Sequence, residues 1–148
     1  MRITSALLAV ALLAGCGSSQ PRLTKAEFTQ RASAICSRYS TYLQGLRAGV
    51  QAGNVAQEQA LVAQALPVIR SGHDELRTLR PPQELQAAYD RWLDASDREV
   101  KVVEQLADAL QSNDFDGALS AVKSLAGTNL AQLQADSAAV GLTACESS

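Results

Sequence analysis

Apolar positions recur along this chain at the spacing of helices. Phe28, Ala32, Ile35, Tyr39, Leu43, Leu46 and Val50 follow at three- and four-residue steps, which predicts a helix over about 25–51. Thr24-Lys25-Ala26-Glu27 ahead of it fits a capping box, with Thr24 as N-cap and Glu27 reaching back to the backbone. Ala52-Gly53-Asn54 ends the stripe, and Asn54 with Gln57 offers the next cap. Leu61, Ala65, Ile69, Leu76 and Leu79 carry a second stripe across Pro67. A proline inside a helix lacks the amide donor and presses on the carbonyl four residues back, here that of Ala63. The second helix is therefore expected to kink or split near 64–67 and to end before Pro81-Pro82, a pair suited to a corner. Leu85, Tyr89, Trp92, Ser96, Val100, Val103, Leu106 and Leu110 predict a third helix over about 83–111. Asn113 or Asp114 then caps a fourth, whose stripe is Phe115, Leu119, Val122, Ala126, Leu130, Leu133 and Val140. Gly141 before Leu142 has the pattern of a glycine C-cap with its apolar partner. Period-two alternation and Asn-Gly hairpin signals are absent, so strands are not expected.

Four amphipathic helices joined by short turns pack most simply as an all-α, antiparallel up-down four-helix bundle, here with its second helix kinked at a proline. That topology sets the end of the fourth helix beside the start of the first, and so brings Cys145 toward Cys36.

The N-terminus has a different pattern. Arg2 precedes an apolar run from Ile3 to Ala14, shorter than the roughly 20 residues a membrane-spanning helix needs. It has the length and flanks of a signal peptide. Leu13-Ala14-Gly15-Cys16 resembles the lipobox of bacterial lipoproteins. The resemblance implies cleavage between Gly15 and Cys16 and a diacylglyceryl group on the Cys16 thiol. Two acyl chains, each contributing about 0.8 kcal/mol per buried methylene, hold a protein firmly to a membrane. Ordinary secretion with a free Cys16 thiol is the alternative. Residues 17–23 then form a polar tether reaching about 25 Å when extended. The chain thus divides into a signal peptide over 1–15, a lipidated N-terminus and tether over 16–23, and a helical domain over 24–148.

Composition narrows the functional classes. Net charge is −2, and removal of the leader with Arg2 makes it −3. A mildly acidic domain lacks the clustered cations that nucleic acid or anionic lipid headgroups call for. Aromatic residues make up 4% of the chain, too few for base-stacking platforms. Three cysteines would be an odd number for a secreted protein, but with Cys16 acylated, Cys36 and Cys145 remain as a pair in an oxidising compartment. A disulfide between them is predicted, stabilising by about 4–5 kcal/mol in the chain-entropy treatment. A free thiol or metal role is the alternative, although neither cysteine has a CxxC partner or a nearby histidine.

Catalytic chemistry finds little footing. The single histidine, His73, lies in Ser-Gly-His-Asp-Glu. A metal site with Asp74 and Glu75, or a nucleophile–base pair with Ser71, meets the objection that neighbours one and two apart on a helix face different ways. A solvated surface histidine is expected. Asp90, Asp94 and Asp97, with Glu84 before them, could form an acid–base pair or cation site. However, Asp94–Arg98 and Asp97–Lys101 are i,i+4 pairs of opposite charge, as on a solvated face. Ser112–Gly117 resembles part of a calcium loop, yet Ser112 and Lys123 stand where acidic ligands are needed, so a capping turn is expected. Paired Glu-x-x-His motifs and a CxxCH haem attachment are both absent. No cofactor or metal is expected. Tyr39, Tyr42, Tyr89 and Trp92 lie on or beside apolar stripes, either as core or as the lining of a ligand cleft.

Glu27-Phe28, Ala34-Ile35-Cys36, Leu79-Arg80-Pro81-Pro82-Gln83-Glu84-Leu85, Trp92 and the closing Gly141-Leu142-Thr143-Ala144-Cys145 together resemble a group of small actinobacterial lipoproteins of unassigned function. The resemblance covers nearly the whole mature chain and implies a helical fold and an extracytoplasmic location, with no catalytic residues to carry over. The expected function is a non-catalytic helical interaction module, lipid-anchored at the outer face of the bacterial cytoplasmic membrane and presented to an envelope protein. A module holding a small apolar ligand between helices is the alternative.

Overall fold

Three of the helices begin where a capping side chain satisfies one of the first backbone amides. In a computed structural model describing residues 21–51, 53–127 and 130–145, the Thr24 side chain accepts from the Glu27 amide while Glu27 Oε2 accepts from the Thr24 amide at 2.9 Å. This capping box opens α1, Lys25–Arg47. Asn54 accepts from the Gln57 amide at 3.1 Å and opens α2, Val55–Arg77. Helix α3, Gln83–Gln111, starts directly after Pro81-Pro82. Asp114 accepts from the Gly117 amide at 2.9 Å at the head of α4, Phe115–Gly127. Helix α5, Leu130–Val140, leads into a single 3-10 turn, Thr143–Cys145. The fold is all-helical, and no strand occurs among the described residues. The signal-peptide run, the Gly15–Cys16 cleavage position and the acyl-accepting Cys16 lie outside the described residues.

Gly141 closes α5. It adopts φ +75°, a conformation natural to glycine; its amide reaches the Ala138 carbonyl at 3.1 Å and the Leu142 amide reaches that of Ser137 at 2.8 Å. These are the paired bonds of a Schellman motif, and they drive the Leu142 side chain into the interior at 0% exposure.

Three expectations are corrected. Helix α1 stops at Arg47 rather than near 51, where Gly45 and Gly49 weaken the last turn. Of the kink or split expected near 64–67, the split does not occur: α2 runs through Pro67 as one helix and packs against α1 and α3. The segment expected as one helix over 115–140 is helical over α4 and α5, and residues 128–129 between them lie outside the described residues. Its burial differs from expectation. Phe115, Leu119 and Val122 are exposed, and α4 turns Ala118 and Ala121 inward instead. Those alanines repeat at helical spacing too, and their small side chains let α4 lie close against α3, where Ala109 is also buried.

The core gathers at one end of the helices. Phe28, Ala32, Ile35 and Cys36 of α1 meet Leu76 of α2, Leu85, Tyr89 and Trp92 of α3, and Val140 with Leu142. Phe28 stands edge-on to Tyr89, with centroids 4.9 Å apart, and Tyr89 stacks on Trp92 at 5.8 Å. The polar tips of both large aromatics are satisfied: Tyr89 donates to the Leu76 carbonyl at 2.7 Å and Trp92 Nε1 to Ser137 Oγ at 2.9 Å. Cys36 and Cys145 are joined as a disulfide at this same end. Helix α2 packs on α1 and α3, α3 also packs on α4 and α5, and the Thr143–Cys145 turn ties the C-terminal part to α1.

Candidate functional site: a cleft along α1, α2 and α3

The helical stripes that form the core continue beyond it and line a cleft of about 400 Å³. Ile35, Cys36, Tyr39, Ser40, Leu43 and Arg47 face it from α1, and Ile69, Gly72, His73 and Leu76 from α2. Trp92, Ser96, Glu99, Val100 and Val103 face it from α3, while Leu125 and Cys145 complete the wall. From Cys36 to Arg47 the lining spans about 16 Å of helix at 1.5 Å per residue. The volume lies within the roughly 300–1,000 Å³ of small-molecule sites. A second cavity of about 180 Å³ shares Leu43, Arg47, Ile69, Val103 and Leu125 with it, and continues the apolar wall to Leu61, Val62, Ala65 and Leu106.

Close helix approach shapes one side. A Cβ on Gly72 would lie 2.9 Å from Tyr39 Cδ2, so only glycine lets that ring lie flat against α2. The Tyr39 hydroxyl is 3.1 Å from Ser71 Oγ and donates to Glu75 Oε2 at 3.2 Å. Arg38 also donates to Glu75, and this bond holds the Glu75 carboxyl below its ordinary range.

His73 is not the solvated surface residue expected from the sequence. It is 9% exposed and lies between α2 and α3. Nδ1 accepts from Arg77 Nε at 3.3 Å, and Nε2 stands 3.4 Å from Asp97 Oδ1 without forming a hydrogen bond. Asp97 also pairs with Arg77, so this carboxylate reaches across to α2 instead of along its own helix to Lys101. Arg70 and Glu104 form a second bridge between the same helices at 2.7 Å. The acidic face of α3 is therefore partly an interhelical seam. Asp74 is exposed and Ser71 turns to Tyr39, so neither joins His73 in a site. The 112–117 turn caps α4, and among the described residues no group of three or more His, Cys, Asp or Glu is placed to hold a metal ion. No described helix is long and apolar enough to cross a membrane.

The four aromatic candidates separate. Tyr39 and Trp92 line the cleft. Tyr89, 1% exposed, belongs to the core, where burial raises its phenol pKa well above the ordinary value. Tyr42 is 54% exposed and lies away from the cleft. Two charged residues that the sequence reading did not single out also line it. Arg47 sits at its solvent-exposed edge in the last turn of α1. Glu99 is half-buried, and burial alone pushes its carboxyl above the ordinary range, with no countercharge lowering it. A signal for Glu99 was present, since it falls between Ser96 and Val103 at helical spacing, on the stripe assigned to the interior.

No family model, curated protein or solved structure matches this chain.

Proposed function

We propose that this protein is a lipid-anchored, extracytoplasmic binding protein that holds an elongated apolar ligand between its helices. The observation that carries this reading is the cleft of about 400 Å³, walled chiefly by Ile35, Leu43, Ile69, Leu76, Val100 and Val103, with a second apolar cavity that shares part of this wall. The lipobox resemblance at Leu13–Cys16 supports the anchor and the outer face of the cytoplasmic membrane as location. In this reading α4 and α5 together fill the fourth position of an up-down bundle. Their tie to α1 through the Thr143–Cys145 turn leaves the flank of α1 open above the disulfide.

Trp92, the only tryptophan, lies in the cleft wall and serves as an internal reporter. Titrating the mature Cys16→Ser protein with decanol, a neutral apolar probe, should change Trp92 fluorescence saturably. Native mass spectrometry should show the added mass of one probe. An unchanged spectrum together with a bare polypeptide mass would overturn the reading. A second reading, the helical interaction module, draws on the exposed Phe115, Leu119 and Val122 of α4. Under it, Leu119→Asp should remove cross-linking to envelope proteins and leave decanol binding intact.

A further inference from the structure

We infer that the cleft selects apolar ligands carrying a single cationic group, which pairs with Glu99. The inference rests on the proposed binding function and deepens it. Glu99 faces the cleft from α3 between Ser96 and Val103, half-buried in a lining that is mostly apolar. No ion pair or hydrogen bond engages it among the described residues, and only burial acts on its carboxyl. A carboxylate drawn out of water without a partner is costly, and a cation delivered with an apolar body removes that cost. The other carboxylates near the cleft are already answered: Glu75 by Arg38, and Asp97 by Arg77.

Arg47 offers the opposite choice, an anionic ligand, but its situation differs. It is exposed, so its guanidinium is solvated, and pairing there gains little. It also lies in the last turn of α1, where a cation complements the helix C-terminus. Desolvation therefore puts the discriminating interaction at Glu99.

The test compares three ten-carbon probes below their micelle concentrations, using calorimetry at neutral pH on the mature Cys16→Ser protein. Decylamine is cationic, decanoate anionic and decanol neutral. Decylamine should bind more tightly than decanol by roughly ten- to a hundredfold, the range of a charge-assisted hydrogen bond. Glu99→Gln should remove decylamine's advantage over decanol while decanol still binds, with circular dichroism confirming the fold. The wild-type ranking is informative even if the variant folds poorly. Equal affinity for all three probes would overturn the role of Glu99. Tightest binding of decanoate, lost in Arg47→Ala, would also overturn it while leaving the cleft as a binding site. Failure of all three to bind would instead remove the proposed function itself.

Discussion

Glu99 and Gly72 show how single side chains set the character of the cleft. Because burial raises the Glu99 carboxyl pKa, the folded protein holds that proton more tightly than the unfolded chain does. The group therefore favours folding most when protonated, and this stability is lost as pH rises from the ordinary carboxylate range through the raised value. Glu99→Gln should accordingly raise Tm at neutral pH, and the gain should vanish as pH falls toward about 4. Thermal denaturation across that range checks the sign. At Gly72 an added methyl would meet the Tyr39 ring at 2.9 Å. Gly72→Ala should lower stability by about 1–3 kcal/mol, the usual cost of overpacking, as read by denaturant unfolding. Sequence spacing carried the information for Glu99, since a charge stood on an apolar stripe. It carried none for His73, because the contact with Asp97 joins residues on separate helices.

At the scale of elements, caps were legible and faces were not. Thr24, Asn54 and Asp114 each bond the amide three residues on, as short-range chemistry requires. Gly141 is equally local, and Gly141→Ala should cost about 1–2 kcal/mol because an L-residue resists positive φ. Helix α4 is different. Periodicity identifies a helix over 115–127 but allows two faces, one of large and one of small apolar residues. Contact with α3 selected the small one, Ala118 and Ala121. Leu119→Ser should then change stability by no more than about 0.5 kcal/mol, the range for surface sites. A loss of several kcal/mol on chemical denaturation would mean that the large face is covered.

The molecule as a whole depends on where its ends meet. An all-helical fold and the joining of Cys36 to Cys145 could be anticipated, because local periodicity and cysteine parity are properties of the chain alone. The cleft could not be anticipated, because it arises from the separation between helices. Replacing both cysteines by serine should cost about 2–5 kcal/mol in denaturant unfolding while leaving a helical circular dichroism spectrum. The disulfide has a mechanical consequence as well. It spans 109 positions, so α2 to α5 lie within a covalently closed ring. Tension applied between Pro21 and Cys145 passes through the first half of α1 and then directly across the sulfur bridge. Under oxidising conditions the rest of the chain bears no load, and a pulled molecule should lengthen only by the segment ahead of Cys36 until a reductant opens the ring.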